Sequence, residues 1–350
     1  AVARPSRPRR PAKAELVWQD AMNLVTDIKY NADSNGGNIS FKVDRSSIRQ
    51  GNAVIAIKDV SDAILWSWHV WVTDEDINNV IEITNHQNVK YNFMPVNLGQ
   101  CDGNTITYEE RSCKVKFIAG DQSKEITIKQ LANVIATGSN APFYQWGRKD
   151  PLYPSNGMGN TTKIWYDKEG IPSTANPMKG TFSAGNDCIK NCILNPNLMH
   201  NRYNGDYTYY NLWSADNKTT SANDNPVNKT IYDPCPVGFK LPASNAFTGF
   251  TTTGESVSSS TQVNGTWSSS EKGWYFYTNS EKTQSIFFPA LGYRSYSTMR
   301  PGSIGTQGCF WSAHPVAKGN NYYLRTSSVD VQPTYMVDRG FGYALRPCQD

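Results

Sequence analysis

Charged and hydrophobic residues are both scarce in this chain of 350 residues, at 18% and 38%. Globular averages are about 25% and about 45–50%. Too little Ala, Glu, Lys and Leu is present for a helical bundle or coiled coil. No run approaches the ~18 apolar residues of a membrane span. The chain opens without a signal peptide, so the expectation is a soluble protein from which any export signal has been removed. Seven cysteines are too few for a disulfide-built scaffold, and the odd number leaves at least one outside any internal pair. Catalytic signatures are missing as well: no GxSxG elbow, phosphate loop or HExxH occurs, and Gly302-Ser303-Ile304-Gly305 reads as a turn.

Asn, Ser, Thr, Gly and Tyr fill the space, the composition of a strand-and-loop protein with a weakly charged surface. Aromatics at 12% supply enough apolar area for real cores and argue against disorder. Length suggests two domains at ~150 residues each. Net charge is +4, with much of the excess in Arg4, Arg7, Arg9, Arg10 and Lys13. Interleaved prolines make residues 1–14 an extended basic tail. Such a tail can touch nucleic acid or an anionic surface; the simpler reading is an exposed linker, and no nucleic-acid partner is expected.

Residues 15–136 alternate with period two: Ile39, Phe41 and Val43; Val54 and Ala56; Val115 and Phe117; Ile126 and Ile128. Gly-Asn turn signals separate these runs, which predicts a β-sandwich. The segment Ile64–Thr73 (ILWSWHVWVT) is apolar on both faces, as expected of a strand buried on both sides or covered by the next domain. His69 within it reads as a structural histidine. The alternation stops near residues 131–138. Residues 137–350 carry long Asn/Gly/Ser/Tyr-rich stretches between short apolar pieces, the profile of a small strand core bearing large binding loops.

Candidate chemistry is sparse. Cys101 and Cys113 flank a Gly-Asn segment as a disulfide-tied hairpin would. Cys188 and Cys192, four apart, form a partial zinc pattern with His200, but no fourth ligand is evident, so no metal is expected. Asp206, Asp216, Asn217, Asn223, Asp224 and Asn225 are oxygen ligands of the type that suits calcium, yet they match no EF-hand and equally suit turns. Cys309 with His314 would make a nucleophile and base only if Phe310-Trp311 were not a core strand. Asp74, Glu75 and Asp76 read as solvated loop charge. Sequons at Asn38, Asn160, Asn217, Asn228 and Asn264 matter only in a glycosylating host.

Particular strings carry a resemblance. Glu15–Asp20 (ELVWQD), Gly51–Lys58 (GNAVIAIK) and Ile64–Asp74 (ILWSWHVWVTD) resemble a segment of fimbrillin-family surface proteins of Bacteroidetes. Five later strings are similar, in order and spacing, to the major paralogous domain of those proteins, which resembles C-type-lectin folds. They are Phe143–Pro151 (FYQWGRKDP), Lys229–Pro242 (KTIYDPCPVGFKLP), Phe287–Arg294 (FFPALGYR), Cys309–Ser312 (CFWS) and Arg339–Pro347 (RGFGYALRP). The resemblance implies a mainly β protein with an α+β C-terminal part: an N-terminal β-sandwich (15–136) followed by a loop-rich C-type-lectin-like domain (137–350). It further implies an extracellular, outer-membrane-associated protein of the cell surface or fimbrium. This would be a non-enzymatic adhesin or pilus tip or accessory subunit, whose partners are pilus subunits and a host or bacterial surface protein or glycan. A disulfide between Cys235 and Cys348 would clasp the start and end of the lectin-like fold.

The calcium-dependent sugar motif of C-type lectins is absent, so sugar recognition does not carry over; no cofactor is expected, with calcium the one left open. Ligand contacts are expected from Tyr293, Arg294, Tyr296, Arg300, His314, Asn320, Asn321, Tyr322, Tyr323 and Arg325, because Tyr and Arg dominate interface hot spots. Two alternatives stay open. One is a structural pilus or envelope subunit without a soluble ligand. The other is an enzyme on the lectin-like fold of formylglycine-generating enzymes, for which only Cys309 is a candidate.

Overall fold

The computed structural model describes residues 9–103, 105–136, 139–153, 163–180, 185–200, 211–216, 218–316 and 319–350, and the chain is mainly β. Its first sheet is built on the Gly51–Lys58 strand, buried on both faces along most of its length. Ala53 and Ile55 meet Leu24 and Val25 on one side, and Val54 meets Trp18 and Tyr153 on the other. Lys13–Gln19 and Ile64–Val72 flank it, both antiparallel. The outer edge of Lys13–Gln19 is taken by Trp165–Tyr166, which pairs in turn with Pro172–Ser173. Tyr153 stacks on Trp165 at 4.1 Å and meets Trp18 edge-on at 5.6 Å.

A second sheet joins Ile81–Thr84, Lys90–Phe93, Cys348–Gln349 and Phe239–Lys240, with Phe93 opposite Cys348. Residues on both sides of position 136 therefore share two sheets, and the expected division at 136/137 is not a break in the pairing. The reason is physical: early strands leave open edges, and later segments satisfy those backbone groups. The first strand also starts at Lys13, inside the expected 1–14 tail. Residues 1–8 lie outside the described residues, and Arg9 pairs with Asp59 at 3.6 Å.

Ile64–Val72, expected to be buried on both sides or covered by the next domain, is the edge of the first sheet and half-buried, with Trp68 42% exposed and later residues Tyr144, Asp150 and Tyr232 in contact with it. Lys149 guards that edge. Its Nζ donates to Ser67 O at 2.8 Å and Ser67 Oγ at 2.6 Å, pairs with Asp150 Oδ2 at 2.7 Å, and lies 4.4 Å from the centre of the Trp66 ring. A buried ammonium at a strand edge opposes addition of a further strand.

In the second half, the meander Gly265–Ser268, Gly273–Tyr277 and Ser285–Pro289 shares a phenylalanine core with the sheet Gly308–Pro315, Asn320–Thr326 and Val331–Asp338. Phe250 stacks on Phe276 at 3.9 Å, and Phe288 meets Phe310 edge-on at 5.0 Å. Arg346 is buried beside them. It donates to Asn97 Oδ1 at 2.7 Å, Pro95 O at 2.5 Å, Met94 O at 3.2 Å and Phe287 O at 2.7 Å, with its guanidinium 4.3 Å from the Phe288 ring centre. It thereby bolts segment 94–97 to the later meander.

Residues 105–136 form an arm. Thr105–Tyr108 pairs with Asn133–Ala136, and Arg111–Ala119 with Gln122–Gln130, all in one register. The strands Arg111–Ala119 and Gln122–Gln130 are exposed almost throughout, Phe117 by 58% and Ile118 by 69%. The alternation at Val115, Phe117, Ile126 and Ile128 is thus a real strand pattern, but it belongs to a free ribbon and not to a sandwich face.

Candidate functional site

An aromatic ladder runs from the core to the surface of the second half. Trp311, on Gly308–Pro315, is fully buried and lies 4.4 Å from Tyr343 and 5.8 Å from Tyr323. Tyr323 meets Tyr343 at 4.6 Å and Tyr335 at 5.7 Å. Tyr343 leads to Phe341 at 5.7 Å, and Phe341 touches Tyr293 at 5.5 Å and Tyr296 at 4.8 Å, both edge-on. Burial relaxes along the series. Trp311, Tyr323 and Tyr343 are core; Tyr293, Tyr296 and Phe341 are half-buried; Tyr335 is 47% exposed beside Met336 at 50%. Edge-to-face contacts of this kind add about 0.5–1.5 kcal/mol each beyond area burial, so the exposed rings stand on a stiff base.

Local sequence explains the arrangement. Antiparallel pairing sets Tyr323 opposite Tyr335, and the Trp311↔Tyr323 pair places three rings on one sheet face. Gly302 lies opposite Tyr293, and a Cβ there would stand 3.1 Å from the ring. At Gly340 a Cβ would meet the Tyr296 side chain at 3.0 Å. Both glycines let a tyrosine lie close against backbone. Arg325 borders the face, with Nη1 2.6 Å from Asp330 Oδ2 and its guanidinium 5.9 Å from the Tyr335 ring centre.

The expected ligand residues divide. Tyr293, Tyr296 and Arg325 belong to this face, and Arg300 is exposed on the Thr298–Arg300 turn nearby. Tyr323 supports the face from below. The others are structural, which corrects the expectation of a loop surface. Arg294 is buried, donating to Asn176 Oδ1 at 2.9 Å, Met299 O at 2.7 Å and Tyr153 O at 3.0 Å; burial pulls its guanidinium down to about 10. His314 Nδ1 accepts from Ser244 N at 3.3 Å and lies 3.1 Å from Ser244 Oγ, and burial lowers the imidazole. Asn321 is fully buried and accepts from Arg339 Nε at 2.8 Å. Tyr322 is buried opposite Met336, and Asn320 pairs with Asp338. They lie on the central strand of a three-stranded sheet, where little of either face is free. Tyr335 and Phe341 escaped sequence reasoning, although the Val331–Asp338 alternation marks Tyr335 as a cross-strand neighbour of the tyrosine-rich segment.

The remaining chemistry resolves similarly. All seven cysteines are unbonded thiols. Cys101 is buried beside Asn52, whereas Cys113 is exposed on the arm, so this expected pair is not formed. Cys235 and Cys348 are buried but not bridged; the pairing of Phe239–Lys240 with Cys348–Gln349 makes the clasp by hydrogen bonds. Burial pushes the Cys309 thiol up to about 12, and the His314 imidazole is engaged by Ser244. Of the calcium candidates, Asp206 and Asn217 lie outside the described residues. Asp224 is committed to protein donors: Asn85 Nδ2 at 2.6 Å, Tyr91 OH at 2.7 Å and Asn245 Nδ2 at 2.9 Å. Among the described residues no group of three or more His, Cys, Asp or Glu is placed to hold a metal ion. No described helix is long and apolar enough to cross a membrane.

Comparison with family models, curated proteins and solved structures finds no match to this chain.

Proposed function

We propose that the protein is a non-enzymatic, extracellular adhesin or pilus tip or accessory subunit that binds a glycan or a surface protein through its aromatic face. The carrying observation is the ladder itself: half-exposed rings of Tyr293, Tyr296, Phe341 and Tyr335 on a packed aromatic base, bordered by Arg325. Rigid aromatics offer large contact area at low entropic cost and take either sugar faces or apolar peptide side chains. A screen of the full chain against mucin glycans and host and bacterial surface proteins, with calcium and with chelator, tests this. A hit that survives chelation supports calcium-independent binding; a folded protein with no hit opposes it.

The exposed arm favours a second reading, a structural envelope or pilus subunit. Two unpaired ribbon edges carrying Phe117, Ile118, Ile126 and Ile128 suit assembly better than solution. That reading predicts pull-down of pilus subunits by the arm, and no soluble ligand.

A further inference from the structure

The arm ends in a two-residue turn, Gly120-Asp121, and its long strands pair without a bulge from Ala119↔Gln122 to Arg111↔Gln130. Gly120, at φ +61°, is the first central residue of that hairpin turn. The turn closes with the Gln122 N–H donating to the Ala119 carbonyl, so Ala119↔Gln122 is a hydrogen-bonded pair. Antiparallel pairs alternate between bonded and non-bonded, and this register never slips. The bonded pairs are therefore those of Lys124, Ile126, Ile128 and Gln130. Ser123, Glu125, Thr127 and Lys129 turn their backbone N–H and C=O groups to the free edge. Among the described residues no strand takes up that edge.

The faces of the ribbon differ in chemistry. Cys113, Val115, Phe117, Ile126 and Ile128 share one side; Lys114, Lys116, Glu125, Thr127 and Lys129 share the other. The two edges also differ in what a second copy would meet. Laid antiparallel against itself, Arg111–Ala119 sets Lys114 against Lys116 when the two-fold falls at Val115. A two-fold at either lysine sets that lysine against itself. Such an edge refuses a strand. Along Gln122–Gln130 a two-fold at Thr127 sets Glu125 against Lys129 of the second copy, and Lys129 against its Glu125. The same register opposes Ile126 to Ile128 on the apolar side and Thr127 to Thr127 at the axis. Each of these pairings stabilises antiparallel strands. Moving the axis to Ile126 loses both ion pairs and sets Lys124 against Ile128. Glu125, Thr127 and Lys129 are also the residues whose backbone faces outward, so each of their pairs can exchange both hydrogen bonds. Glu125 and Lys129 remain 48% and 61% exposed despite ion pairs within the arm, to Lys114 at 2.9 Å and to Glu110 at 4.0 Å.

We propose that two copies of this chain pair antiparallel along Gln122–Gln130, about a two-fold at Thr127, into one four-stranded sheet. The proposal rests on the assembly reading of the arm and names its partner as a second copy. In the joined sheet Val115 and Ile126 lie in one row with Ile128 and Cys113 of the second copy, and the symmetric row repeats it. Arg111–Ala119 becomes the outer edge, where Lys114 and Lys116 stop further strands. The contact is isologous and closes at a dimer.

Sedimentation equilibrium of the full chain at low salt tests this, and the wild type should show a monomer–dimer equilibrium. Lys129→Glu and Glu125→Lys each oppose like charges at both ends of the register, and each should dimerise about tenfold more weakly or worse. Mixed in equal amounts the two variants should form a heterodimer. One chain then offers two negative charges at positions 125 and 129, and the other two positive ones. Hydrogen exchange on the wild type needs no variant: at dimer concentrations the amides of Glu125, Thr127 and Lys129 should be protected, and those of Lys114 and Lys116 should not. A wild type that stays monomeric at sub-millimolar concentration overturns the proposal; capture of a pilus subunit by the arm of that monomer would leave the assembly reading standing without it. A dimer that both charge variants retain, or one whose amides at 125–129 stay unprotected, is joined elsewhere and also overturns it.

Discussion

Replacing His69 with glutamine probes a buried polar chain that ties the first sheet to the second half of the molecule. Asp20 accepts from Asn52 N at 2.6 Å and Asn52 Nδ2 at 2.9 Å, and the same amide nitrogen donates to Gly99 O at 2.9 Å. Those acceptors orient the Asn52 amide, so its Oδ1 faces His69 Nε2 at 2.9 Å and must accept from it. His69 Nδ1 is then left to accept from Tyr144 OH at 2.9 Å. The ring is the neutral Nε2–H tautomer, and burial pulls its pKa down to about 3. Unfolded, the imidazole takes up a proton below pH ~6.5. Folded, it does not until about 3, so its contribution is lost progressively as pH falls from about 6.5. At about 1.4 kcal/mol per pH unit, the ceiling at pH 4 is about 3 kcal/mol, and the half-buried position reduces this to about 2 kcal/mol. Burial raises the Asp20 carboxyl, an effect of opposite sign that Lys163 at 3.9 Å partly offsets. Both proteins retain Asp20, so it cancels in the comparison. Urea unfolding from pH 7 to 4 should show the wild type losing about 2 kcal/mol more than His69→Gln. Parallel pH curves would refute both the tautomer and the relay.

Two further outcomes follow from the packing. Arg346→Met should cost about 3–5 kcal/mol, because it strands Asn97 Oδ1 and buried carbonyls; Arg300→Met on the exposed turn should stay within about 0.5 kcal/mol, both read by urea melts. Replacing residues 109–132 with a two-residue Asn-Gly turn should move stability by less than about 1 kcal/mol by the same assay, since the arm buries almost nothing; a loss above about 3 kcal/mol would place the arm in the core.

Strand character was legible wherever period two was clean, as at Asn38–Lys42, Gly51–Lys58 and the two arm strands. Partnership was not. Nothing local in Ile126–Ile128 distinguishes a sandwich strand from a free ribbon, and nothing in Lys13–Gln19 announces Tyr166 as its neighbour 147 positions away. At the candidate site, residue type singled out Tyr293 and Tyr296, which the structure leaves half-buried against Phe341. It misled at Arg294 and Asn321, whose polar groups serve carbonyl and arginine partners in the interior. Burial of polar side chains depends on which acceptors the fold delivers, information spread over more than a hundred residues.

The most direct test of the binding face is affinity for whatever ligand the screen returns, measured for the full wild-type chain and for Tyr296→Ala/Tyr335→Ala. Loss of two half-exposed hot-spot rings should weaken binding by tenfold or more, about 1.4 kcal/mol or beyond, while the melting temperature stays within a few degrees. Unchanged affinity in a folded double variant would contradict the account and place recognition elsewhere on the molecule.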